Sequence, residues 1–108
     1  MNPLRWFDTS EVDALAAAIT ADLVRRMPPS RLDARDRDAA LTLRKAQDAV
    51  FARAAKFART HKLNLYKKAR LGNQFRWALS DAGYPEEFVE AWTLELVNLA
   101  VRGAPRGE

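Results

Sequence analysis

The chain has no cysteine, one histidine and four glycines among its 108 residues. Without cysteine there is no disulfide framework, no thiol nucleophile and no thiolate metal site. His61 alone leaves a multi-histidine metal centre without ligands. No apolar run approaches the roughly 18 residues of a membrane-spanning helix. No apolar stretch follows Arg5, so residues 1–7 do not read as a secretory leader. Residues branched at Cβ are sparse and no apolar–polar alternation lasts six residues, which excludes ordinary strands. Glycine-rich phosphate loops, dinucleotide fingerprints and HExxH are missing too. A soluble cytoplasmic protein without a cofactor is the expectation.

What is present is helix-forming. Alanine accounts for 20 residues, and arginine outnumbers lysine 13 to 5. Apolar residues make up 48% and charged residues 30%, the balance of a globular chain. A chain this long buries roughly two-thirds of its unfolded surface, enough for one core. The fold expected is all-α, a four-helix bundle-like domain over residues 1–102 with short connections, followed by a flexible tail at 103–108.

Caps and breakers set the boundaries. Asp8 stands as N-cap of the first helix with Glu11 at N3, and Phe7 with Val12 forms a hydrophobic staple. Val12, Leu15, Ala16, Ile19 and Leu23 make its apolar stripe. Arg25 and Arg26 suit its C-terminal dipole, and Pro28 and Pro29 stop it. Ser30, Asp33 and Asp36 compete to cap the second helix, which runs to about residue 60. Its inner face is Ala40, Leu43, Ala46, Val50, Phe51, Ala54, Phe57 and Ala58. Its outer face is Lys45, Asp48, Arg53, Lys56 and Arg59.

Residues 60–64 make a break, with Asn64 as the next N-cap. Leu65, Ala69, Leu71, Gly72, Phe75, Ala78, Leu79 and Ala82 should line the inside of the third helix. Gly72 costs about 1 kcal/mol against alanine in mid-helix, so a close helix contact is expected there. Gly83 ends that helix, and Pro85 at N1 opens the fourth beside Glu86 and Glu87. The fourth helix carries a main stripe (Phe88, Val89, Trp92, Leu96, Leu99, Ala100) and a second apolar strip (Leu94, Val97, Val101). A helix apolar nearly all round is central or shared with another chain, so a homodimer through it is one expectation.

Charge is segregated. Residues 49–80 carry Arg53, Lys56, Arg59, Lys62, Lys67, Lys68, Arg70, Arg76 and His61, and no acid. Such a one-sign field attracts polyanions. Alternatively, Glu86, Glu87, Glu90 and Glu95 of the last helix pair with these cations and cancel the field. On the third helix Tyr66, Arg70, Asn73 and Trp77 recur at i, i+4, i+7 and i+11. Stacking rings, an Arg fork and an amide suit a helix that reads nucleic acid. The simpler use, preferred here, packs Tyr66 and Trp77 against helix one with their polar tips at the rim.

The run from Ala58 to Gly72 resembles the C-terminal helix-turn-helix of Fis-type DNA-binding domains. There a short break precedes a basic recognition helix opened by a Leu-aromatic-basic sequence, here Leu65-Tyr66-Lys67-Lys68. The resemblance covers 15 residues. It implies that the third helix contacts DNA. The sequence departs from that pattern in lacking the usual Gly at the turn and in its much longer preceding helix.

No catalytic constellation is found. Asp81, Glu86, Glu87 and Glu90 cluster, but the dipole of the fourth helix accounts for them. The expected function is therefore non-enzymatic nucleic-acid binding, with Lys45, Arg53, Lys56, Arg59, Lys62, Lys67, Lys68, Arg70 and Arg76 on phosphates, and Tyr66, Asn73 and Trp77 on bases. The alternative is an interaction module whose basic face docks an acidic protein.

Overall fold

The computed structural model describes residues 8–102. They form four α-helices: α1 (Ser10–Arg26), α2 (Arg37–Thr60), α3 (Leu65–Ala82) and α4 (Glu86–Arg102), with a single 3-10 turn at Pro29–Arg31. No strand occurs among the described residues. None of these helices is long and apolar enough to cross a membrane. Phe7 and the tail at 103–108 lie outside the described residues.

Local chemistry explains the boundaries. Asp36 caps α2 by accepting the Ala39 N–H at 2.8 Å, settling the competition among the three candidates. Asn64 caps α3 by accepting the Lys67 N–H at 2.7 Å. Gly83 ends α3 at φ 101°, a left-handed conformation that favours glycine. Its N–H donates to Ser80 O and the Tyr84 N–H to Leu79 O, which is a Schellman closure. At α1 the expectation needs correction, because Thr9 rather than Asp8 is the N-cap residue. Asp8 accepts from the Ser10 N–H instead, and Thr9 Oγ1 donates to Asp13, so Glu11 closes no capping box. α4 begins one residue late, at Glu86, with the Pro85 carbonyl accepting the Val89 N–H.

Contacts fix the helix directions. Glu11 lies near His61, Arg70 holds Asp13, Tyr84 reaches Met27, and Val97 covers Gly72. Each helix therefore runs opposite to the one before it. Around the core the order is α1–α2–α4–α3, so the consecutive helices α2 and α3 sit on a diagonal and scarcely touch. That corrects the helix-turn-helix resemblance, which needs the second helix packed across the first.

The core combines Val12, Leu15, Ile19 and Leu23 of α1, Val50 and Ala54 of α2, Phe75 and Leu79 of α3, and Val89, Trp92 and Leu96 of α4. Each large apolar side chain so buried contributes roughly 1.5–3 kcal/mol. An aromatic ladder climbs α4: Tyr84 stacks on Phe88, Phe88 on Trp92, and Trp92 tilts against Phe51 of α2.

Three inner-face assignments are overturned. Ala39 is buried where Ala40 was expected. Ala39 belongs to the same core cluster as Ala46 and Val50, so the buried line of α2 enters its first turn at 39 and leaves Ala40 outside. Leu65 is 80% exposed, and Ala69 is exposed as well. The buried stripe of α3 follows Leu71, Phe75 and Leu79 at every fourth residue, which turns the two earlier positions outward.

Candidate nucleic-acid interface

The end of the bundle where α2 stops and α3 starts is built around His61. Its backbone N–H donates to Phe57 O at 3.0 Å, and its ring stacks on the Phe57 ring at 3.9 Å. His61 Nδ1 lies 3.1 Å from that same carbonyl and 3.0 Å from Thr60 Oγ1. Nε2 is left facing the Glu11 carboxylate at 3.7 Å. Thr60 Oγ1 donates back to Lys56 O, closing the last turn of α2. These bonds fix the angle at which the chain leaves α2.

The turn encloses a recess of about 540 Å³ lined by Ala58, Arg59, Thr60, His61, Lys62, Leu63, Lys68 and Ala100. Three lysine or arginine side chains and one imidazole line it, and no acid among the described residues does. Lys67 opens instead into an adjoining recess that holds Asp8 and Glu11, and His61 and Lys62 stand on the wall between the two. Arg53 and Lys56 wall the groove between α1 and α2, whose floor is Ala14, Leu15, Ala18 and Phe57. Lys45 is exposed on α2, and Arg76 is exposed on α3. Because α2 and α3 are diagonal, their outer faces point apart, and the basic residues do not form one continuous surface. Arg59, Lys62 and Lys68 are the three that converge.

Arg70 is engaged elsewhere. Its Nε and Nη2 donate to the two Asp13 oxygens at 2.9 and 3.2 Å. The guanidinium holds the Asp13 carboxyl below its ordinary value of 3.8. The carboxylate in turn raises Arg70. The remaining ion pairs among the described residues are Asp22 with Arg25 and Arg26, and Glu11 with His61. Among the described residues Glu86, Glu87, Glu90 and Glu95 form no ion pair with the cations of residues 49–80, so the expected surface salt bridges do not form.

The core-packing preference for Tyr66 and Trp77 is also overturned. Trp77 is 71% exposed and Tyr66 44% exposed, with Asn73 exposed between them. They lie on α3 opposite the Leu71–Phe75–Leu79 stripe, and α1 does not cover them. Trp77 stands about 15 Å along the helix from Lys67, at 1.5 Å per residue. Sequence reading missed the recess itself. Leu63 and Ala100 wall it, and nothing in the spacing of residues 58–68 points to a contribution from α4. No family model, no curated protein and no solved structure matches this chain.

Proposed function

We propose that this chain is a small non-enzymatic nucleic-acid-binding protein that takes hold of the phosphate backbone at the α2–α3 end of the bundle. The observation that carries the reading is the acid-free recess lined by Arg59, His61, Lys62 and Lys68. Phosphate oxygens are what such a donor set accommodates, and Arg can offer a bidentate fork. Lys67 extends the charge to the first turn of α3. From there the outer face of α3 presents Tyr66, Asn73 and Trp77, exposed side chains that stack on bases or bond to their edges. Lys68 and Trp77 are nine residues apart, half a turn around α3, so a single strand anchored in the recess reaches these groups by passing round the first turn of the helix.

The test is binding of a labelled single strand and a duplex across roughly 50–200 mM salt, the range in which counterion release is read. Affinity should fall linearly in log–log form with salt, and Trp77→Ala should weaken the single strand more than the duplex. Absence of binding at the lowest salt contradicts the proposal. A second reading, a module that docks another protein, is favoured by the exposed Leu65, Leu94 and Val101.

A further inference from the structure

Gly72 and Val97 bring α3 and α4 together. A Cβ added at Gly72 would stand 2.7 Å from Val97 Cγ2. Along the open edge of this contact the surface is apolar. Leu94 and Val101 stand three residues before and four after Val97, so they share its side of α4. Leu65 and Ala69 lie seven and three residues before Gly72, on the matching side of α3. Leu94 is 62% exposed and Val101 54% exposed. Single exposed apolar residues need no explanation, but several along one seam mark a contact surface.

The charges beside the seam say what covers it. Arg76, four residues after Gly72, and Glu90, seven before Val97, both follow the seam toward the Gly83 turn, because α3 and α4 are antiparallel. Both are exposed, and neither has an ion-pair partner among the described residues. An acidic partner would meet Glu90 and a basic one would meet Arg76. A surface that carries Arg76 beside Glu90, with the exposed Glu87 one turn further toward Gly83, offers both signs next to an apolar strip and can complement itself, which is what a two-fold contact requires.

We propose that the α3–α4 seam is the contact surface for a second copy of this chain. A two-fold axis beside Leu94 sets Arg76 against the partner's Glu90, and Glu90 against the partner's Arg76. The apolar strip then closes between them. This surface is separate from the acid-free recess and does not depend on nucleic-acid binding.

Sedimentation equilibrium without nucleic acid, over roughly a hundredfold range of protein concentration, tests it. The mass should rise from one chain toward two. Leu94→Glu should hold it at one chain while circular dichroism stays helical, and Val101→Glu should act in the same direction. Arg76→Glu should weaken association about tenfold, or about 1.4 kcal/mol. Combining Arg76→Glu with Glu90→Arg should restore it. A wild-type chain that stays at one mass throughout overturns the proposal, as does a dimer indifferent to Leu94→Glu or not restored by the charge exchange.

Discussion

Arg70 of α3 and Asp13 of α1 are joined by two hydrogen bonds, and the two residues are 57 positions apart in sequence. Tyr84 and Met27, at the other end of the same helices, are also 57 apart, with the Tyr84 hydroxyl donating to Met27 O at 2.7 Å. One register therefore holds from end to end. α1 and α3 run side by side in the same direction, clamped at the start by an ion pair and at the finish by a buried phenol. The first clamp also withdraws Arg70 from the cations available to a ligand.

The Asp13 clamp predicts a dependence on acid. Its carboxyl is held below 3.8 in the folded protein, chiefly by the hydrogen bonds from Arg70. A depressed carboxyl adds stability above its unfolded value and loses that contribution as pH falls through the folded value. Asp13→Asn should therefore destabilise the fold at neutral pH, and the gap from wild type should close below about pH 4. Urea titrations of both proteins across that range check it. A gap that persists in acid assigns the loss to something other than the ion pair.

The Tyr84 clamp predicts the opposite dependence. Burial pushes its hydroxyl from 10.0 up to about 12. A raised phenol contributes stability fully below its unfolded value and loses it as pH climbs through the folded one. Between those two values wild type should lose stability that Tyr84→Phe does not lose. At neutral pH the same variant should cost about 1 kcal/mol for the missing hydrogen bond to Met27. Alkaline unfolding curves of the pair provide the comparison.

Gly72 gives a test of packing. Alanine there gains about 1 kcal/mol of helix propensity. It also drives a methyl group into Val97, a stiff side chain fixed on a packed helix. Overpacking of this kind costs roughly 1–3 kcal/mol, so Gly72→Ala should be destabilising on balance. In a Val97→Ala background the clash disappears and the same change should turn neutral or stabilising. Thermal melts of the four proteins in the double-mutant cycle decide it, and additive effects would contradict the contact.

Much of this fold is legible in short-range chemistry. Asn64 and Gly83 act on backbone groups within a few residues, so their roles follow from local sequence alone. Asp36 needed the structure only to choose it over Ser30 and Asp33. Gly72 could be flagged because glycine in mid-helix needs a reason, although Val97 could not be named. What failed depended on neighbours. Ala39 and Ala40 are equally apolar, and only the packing of neighbouring elements decides which one is covered. Trp77 looks like core material by type and lies on the surface because α3 turns Leu71, Phe75 and Leu79 inward. The candidate site was half readable. The cations of residues 49–80 stood out, but their division between diagonal helices follows from the ring order, which no local pattern carries. Arg70 looked like a phosphate ligand because nothing near it in sequence reveals Asp13.

The most direct measurement compares two triple variants of equal charge in binding a labelled single strand at low salt. One removes the recess cations (Arg59→Ala, Lys62→Ala, Lys68→Ala). The other removes three exposed arginines at the start of α2 and just before it (Arg35→Ala, Arg37→Ala, Arg44→Ala). If the acid-free recess holds phosphate, the first variant loses most of its affinity and about two to three units of salt slope, while the second stays near wild type. Equal losses in the two would mean that the strand reads net charge alone, and would contradict a binding site at the α2–α3 end.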